Sequence, residues 1–251
     1  MREIYDPPLL LYHRGRLPEW STPLVAIVGT RHPTGRARES SFALAFELAG
    51  LGLTTVSGLA RGIDAEAHRG SSEAGGRSVA VLGNGVDILF PGSSARVGRK
   101  MLASGGAILS EYPPGDPPLA RNFPARNRII SGLARTTVVV QAPERSGALI
   151  TAEYALEQGR ELVVHRVGTI GERGAGSRGL AEQGAPVIDR ATDILGEWGW
   201  VQGDREEQKQ SATVWDCRDP GKQLAGTLEA ELDGRIVWRS GRIFERNVDG
   251  K

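Results

Sequence analysis

The sequence predicts an α/β fold, a doubly wound and mostly parallel sheet, on three observations. From Leu24 to Leu195, short apolar runs alternate with helix-type runs, the order of a chain that repeatedly crosses back over one sheet. Most of the apolar runs are rich in Val, Ile and Leu without polar alternation, as expected of strands buried on both faces. Glycines follow several helical segments, at Gly52, Gly75, Gly105, Gly159 and Gly184, where a left-handed residue commonly ends a helix.

The elements follow in order. Residues 1–23 are a short arm containing Pro7, Pro8 and Pro18, expected to cover the sheet edge in an extended form. The first strand, Leu24–Val28, leads into a helix over Ala37–Leu51. Strand Leu53–Val56 precedes helix Asp64–Ala74, and Ser78–Leu82 precedes Ala95–Ser104. A fourth strand, Ala107–Leu109, leads to helix Asn127–Ala134, and a fifth, Thr136–Val140, to helix Ala148–Gln158. Glu161–Val164, helix Leu180–Gln183 and a short strand at Pro186–Ile188 complete a domain spanning 24–196. Residues 197–251 change character: Trp198–Ala212 is a polar linker, and Leu224–Glu245 suits a small helix followed by a hairpin. In that hairpin Arg235–Trp238 and Arg242–Phe244 flank the turn pair Ser240-Gly241. This extension is too short for a sizeable core of its own.

Composition narrows the function classes. The 251 residues carry a net charge of only +1, so an anion site has to be a local patch rather than a whole-surface field. Cys217 stands alone, and no Cys/His cluster has zinc spacing. No signal peptide and no run of membrane-spanning length is present, so a cytoplasmic protein without a membrane role is expected. No metal and no cofactor are expected.

The most informative segment is Phe123–Gly132, with Asn122 just before it. Asn122, Arg126, Asn127 and Arg128 sit at the entrance of an apolar helical run, with no carboxylate between Asp116 and Glu144. Arginine forks match phosphate oxygens, and a helix N-terminus adds unpaired N–H groups. In open α/β sheets the loops after the strands hold ligands. Here those loops carry Gly29 and Arg31, then Ser57, Gly58, Arg61 and Gly62, then Ser146, Gly147 and Thr151. Each alone reads as a turn glycine or a solvated charge. Their coincidence at one sheet end predicts a phosphate-binding cleft.

Sharper motifs are missing. There is no Walker A sequence and no nucleophile elbow. A literal G-x-G-x-x-G at Gly174–Gly179 comes late in the domain, and no ribose-binding acid follows it at the expected distance. His13, His32, His68 and His165 have neither metal nor triad spacing, and His68 reads as a helix-face residue. Asp64 suits bracing of a helix start. Glu153 is the one carboxylate worth testing as an acid/base. Phe123 and Tyr112 are the aromatics near the Arg/Asn segment, and Phe123 suits either a stacking role or a core plug.

The blocks Val25–Arg31, Ser57–Ala65, Ala80–Gly85, Arg121–Gly132 and Ser146–Ala152 together resemble the signature of the DprA/Smf DNA-processing family, in the family's order. The resemblance implies an extended Rossmann-like domain that binds single-stranded DNA without hydrolysing nucleotides. It also implies a homodimer that protects incoming DNA and loads RecA recombinase during natural transformation. By motif position, Gly29, Arg31, Ser57, Gly58, Arg61, Gly62, Asn122, Arg126, Asn127 and Arg128 would line the strand pocket, closed by Ser146, Gly147 and Thr151. No residue is assigned a catalytic role. The chain departs from the family pattern at His165–Gly168 and after Gly179, and residues 197–251 would be at most a winged-helix remnant. The alternative is a nucleotide-processing enzyme resembling the lonely-guy phosphoribohydrolases, with Ser146–Glu153 a loose echo of their catalytic loop, or a nucleotide-binding sensor.

Overall fold

The computed structural model describes residues 4–199, together with the backbone of 236–239 and 242–245. The chain divides into two compact units, Met1–Ile194 and Leu195–Lys251. In the second, β9 (Ile236–Arg239) pairs antiparallel with β10 (Arg242–Glu245), which is the hairpin expected from the sequence. The expected linker and small helix lie outside the described residues.

The first unit is built on an eight-stranded sheet in the order β1-β5-β4-β3-β2-β6-β7-β8. The strands are β1 (Tyr12–Gly15), β2 (Leu24–Val28), β3 (Thr54–Ser57), β4 (Ser78–Leu82), β5 (Ala107–Ser110), β6 (Thr136–Val139), β7 (Glu161–His165) and β8 (Val187–Ile188). Seven strands are parallel; β1 runs antiparallel to β5, with Tyr12 opposite Ser110. The N-terminal arm thus contributes an edge strand, not merely a cover. Its Tyr-His-Arg-Gly sequence lacks the apolar content of a buried strand because one edge and much of both faces meet water.

Helices α1 (Gly35–Gly50), α2 (Ile63–Glu73) and α3 (Ala95–Ala103) follow β2, β3 and β4, while α4 (Asn122–Leu133), α5 (Gly147–Glu157) and α6 (Ala175–Glu182) follow β5, β6 and β7. A last helix, α7, spans Ala191–Glu197. Side chains of one strand alternate between two cores. Val79 and Val81 join Ile129, Ile130 and Ala152 under α4 and α5, while Ala80 and Leu82 join Met101 under α3. Both faces are buried, so the strands show no polar alternation. Ile129 and Ile130 are buried in full and stabilise by about 2 kcal/mol each.

Strand order reverses between β2 and β6, which are direct neighbours paired from Val25–Thr136 to Val28–Val139. Loops leaving such neighbours diverge to opposite faces and open a crevice at their carboxyl ends. That crevice holds the candidate site.

Candidate nucleic-acid interface

The crevice is a cleft of about 620 Å³, walled by the loops after β2 and β6 and by the start of α4. Gln141, fully buried beyond β6, ties the first two walls together. Its backbone carbonyl accepts from Thr30 N–H at 2.7 Å and its side-chain oxygen from Thr34 N–H at 2.9 Å. Thr34 in turn caps α1 by accepting from Ala37 N–H.

The loop from β3 to α2 approaches from the other side. Leu59 adopts φ 57° with its side chain fully buried in the α3 core. The left-handed conformation costs about 1 kcal/mol, which apolar burial offsets. Gly62, at φ 81°, lies so close to the β2 loop that a Cβ there would meet the Thr30 carbonyl oxygen at 2.4 Å.

Arg126 is the strut between these walls. Its guanidinium donates to the carbonyl of Gly58 at 2.9 Å and to that of Val81, which leaves the side chain buried. Burial lowers its pKa to about 10, with nearby Asp64 opposing and Arg31 adding to the drop. Asp64 accepts from Gly58 N–H at 3.2 Å and Ala60 N–H at 3.3 Å, the bracing role expected of it. Burial pushes its carboxyl up, and the Arg126 cation pulls the other way. The pair therefore fixes the loop, and the exposed charge around the cleft comes from elsewhere.

That charge is Arg31, Arg61 and Arg145, all exposed. Arg31 and Arg145 line the main cleft; Arg31 and Arg61 line a small hollow beside it. Gly147 presents open backbone, with no atom within 4 Å of where a Cβ would stand. The Phe123 ring is half-buried between Arg31 and Arg126, whose guanidinium carbons lie 6.0 and 5.9 Å from its centroid. Phe90 packs on it at 5.7 Å and is itself 39% exposed. Phe123 is thus the more enclosed ring of the pair and Phe90 the more exposed one.

Seven of the residues expected from sequence line the cleft: Gly29, Arg31, Arg126, Asn127, Ser146, Gly147 and Thr151. Gly58 and Arg61 line the adjoining hollow and Gly62 a further one. Three lie elsewhere. The Ser57 hydroxyl is buried and donates to the Ile27 carbonyl at 2.6 Å. Asn122 is buried and donates to the Gly83 carbonyl. Arg128 turns away to Glu111 and Asp6, at 2.8 Å each. The premise that its fork lacks an acidic partner is overturned: the partners come from distant positions, before the carboxylate-free interval and in the arm. The Ser146 and Thr151 hydroxyls are also engaged, Ser146 as the cap of α5 and Thr151 bonded back to Gly147.

The other candidates resolve simply. Glu153 is exposed on α5 and is not among the cleft residues. His68 stands on a helix face, as read from the sequence, and that face of α2 is the buried one, with its Nδ1 3.1 Å from Ser78 Oγ. Gly174 and Gly176 make close backbone packing against Gly168 and Pro143, so the literal G-x-G-x-x-G serves the fold. Among the described residues, no group of His, Cys, Asp and Glu suits a metal ion, and no helix is long and apolar enough to cross a membrane.

The family model for DNA recombination-mediator protein A matches residues 1–199. The chain belongs to that family. Within it, the Smf protein of Synechocystis is 39% identical over 231 residues, which is 90% of this chain and 56% of the relative. The chain thus spans little more than half the length of that curated relative. Among solved structures, DNA processing protein A (DprA) of Streptococcus pneumoniae superposes with a TM-score of 0.72 at 39% identity, covering 78% of this chain and 69% of the other. DNA processing protein A of Helicobacter pylori, solved for its single-stranded DNA binding mode, gives 0.70 at 31% identity, covering 78% and 89%. The family resemblance drawn from the sequence blocks and the Rossmann-like fold are both established by these matches.

Arg145, His32 and Phe90 line the cleft without belonging to the sequence-based set. Arg145 was legible, since it directly precedes Ser146-Gly147. Phe90 was not: it stands eight residues beyond the end of its strand, and nothing local marks it as the partner of Phe123.

Proposed function

We propose that this protein binds single-stranded DNA in the cleft between β2 and β6 without acting on it chemically. It protects incoming strands and loads RecA recombinase onto them during natural transformation or recombination, working as a cytoplasmic homodimer. The supporting observation is the combination of exposed Arg31, Arg61 and Arg145, the open backbone of Gly147 and the exposed Phe90 ring around one cleft. Permanently charged forks hold phosphates, and an aromatic face stacks on any base. The similarity to the Helicobacter pylori relative, solved for its single-stranded DNA binding mode, supports the same reading.

The test is fluorescence anisotropy with a labelled oligothymidylate across a salt series, run beside an assay for base release from nucleoside monophosphates. The expected result is salt-sensitive strand binding with no base release. Absence of strand binding at low salt, together with base release that depends on Glu153, would overturn it. RecA loading is tested by filament formation on strands already coated with a single-strand-binding protein; no acceleration on adding this protein removes that part of the proposal.

A further inference from the structure

Beyond Arg31 the basic surface does not end. Arg31 and His32 line the cleft on one side and, on the other, a second hollow of about 410 Å³ over α1, α2 and the turn before α3. Arg61 joins Arg31 in the small cavity beside the cleft and again in this second hollow. The two arginines form a shared ridge rather than a barrier between unrelated pockets.

The far wall carries Arg38 and Arg69. The Arg69 guanidinium carbon lies 4.9 Å from the Phe42 centroid, and the side chain pairs with Glu66 at 2.9 Å. Among the described residues, Glu66 is the one carboxylate lining the hollow, against Arg31, Arg38, Arg61 and Arg69, which leaves a local surplus of three positive charges with His32 neutral. A surplus this size in a chain of net charge +1 is a concentrated patch, and such patches raise the local concentration of polyanions. Ser93 and Ser94 add hydroxyl-bearing residues on the same wall.

A strand held by Arg31 is a continuous polyanion that must leave the cleft over some surface. We infer that it leaves across the Arg31–Arg61 ridge into this second hollow, where Arg38 and Arg69 hold the flanking phosphates. The binding track is then longer than the cleft and has two separable halves. This inference rests on the proposed strand binding and adds the strand's path and the residues that extend it.

The test compares oligothymidylates of about 4 and about 16 nucleotides, using the full chain and the Arg38→Ala/Arg69→Ala variant. The short strand fills the cleft alone, so its affinity is expected to be the same in both proteins. The long strand is expected to bind the variant roughly tenfold more weakly, with a salt slope shallower by about 1.4 for two lost phosphate contacts. Equal affinity for the long strand, or an equal loss at both lengths, overturns the track. If the unaltered protein binds neither length, strand binding itself fails, and the inference falls with it. Arg69→Ala also removes contacts to Phe42 and Glu66. The single variant Arg38→Ala, at an exposed position of α1, therefore repeats the test with an expected slope change of about 0.7.

Discussion

Arg128 donates to Glu111 at 2.8 Å, and this bond turns it away from the cleft that Arg126, two residues earlier, helps to build. Opposite faces of one helix thus divide the labour of a run that reads as uniform. The Arg128 side chain is 10% exposed, so truncating it leaves the partly buried Glu111 without its partner, whereas the exposed Asp6 returns to water. Arg128→Ala is expected to cost about 2 kcal/mol of stability while leaving the affinity of the folded protein for single strands unchanged. Urea denaturation and anisotropy on the same sample check both halves. A loss of affinity at full stability would show that Arg128 reaches the strand.

Arg31 has the opposite profile. It is exposed, borders three hollows at the sheet end, and has its guanidinium 6.0 Å from the Phe123 centroid. Arg31→Ala is expected to weaken strand binding and to make the salt slope shallower by about 0.7, with a melting temperature near that of the unaltered protein. Affinity that stays the same at every salt concentration would exclude Arg31 from the interface.

The fold was legible in the sequence because buried parallel strands announce themselves as short apolar runs, and Val25–Val28 or Val79–Leu82 needed no tertiary information. The candidate site was legible where it is built from backbone: Gly29, Gly58 and Gly147 mark loops whatever their neighbours do. Side-chain direction was the part that stayed hidden. Asn122, Arg126 and Arg128 share one segment, yet they bond to Gly83, Gly58 and Glu111. Those partners lie on three different loops, brought together only by sheet order. The absence of nearby carboxylates in sequence said nothing about Asp6, 122 residues away.

Gly62 sets the separation of the β2 and β3 loops. At φ 81° it holds a conformation that disfavours a side chain, and a Cβ would also meet Thr30 oxygen at 2.4 Å and the Arg31 carbonyl carbon at 2.8 Å. Gly62→Ala is therefore expected to destabilise the protein by about 1–3 kcal/mol and to displace Arg31 and Arg61 together, weakening strand binding. Thermal melting and anisotropy measure the two effects. A variant as stable as the original would mean that the loops separate freely and that this glycine imposes no geometry.

His68 links the core beneath the cleft to pH. Burial, with the Arg126 cation adding to it, lowers its pKa from 6.5 to about 3. The native protein thus keeps it neutral where the unfolded chain takes up a proton. Its contribution is complete above about pH 6.5 and is lost as pH falls towards 3, at up to ~1.4 kcal/mol per pH unit. His165, also lowered by burial, acts in the same direction, while Asp64, raised by burial, acts in the opposite one. Stability is expected to fall between pH 6.5 and 4, and His68→Gln is expected to flatten that fall even though it lowers stability at neutral pH. Urea midpoints measured across the range decide it. The same pH slope in the variant would assign the acid sensitivity to other groups.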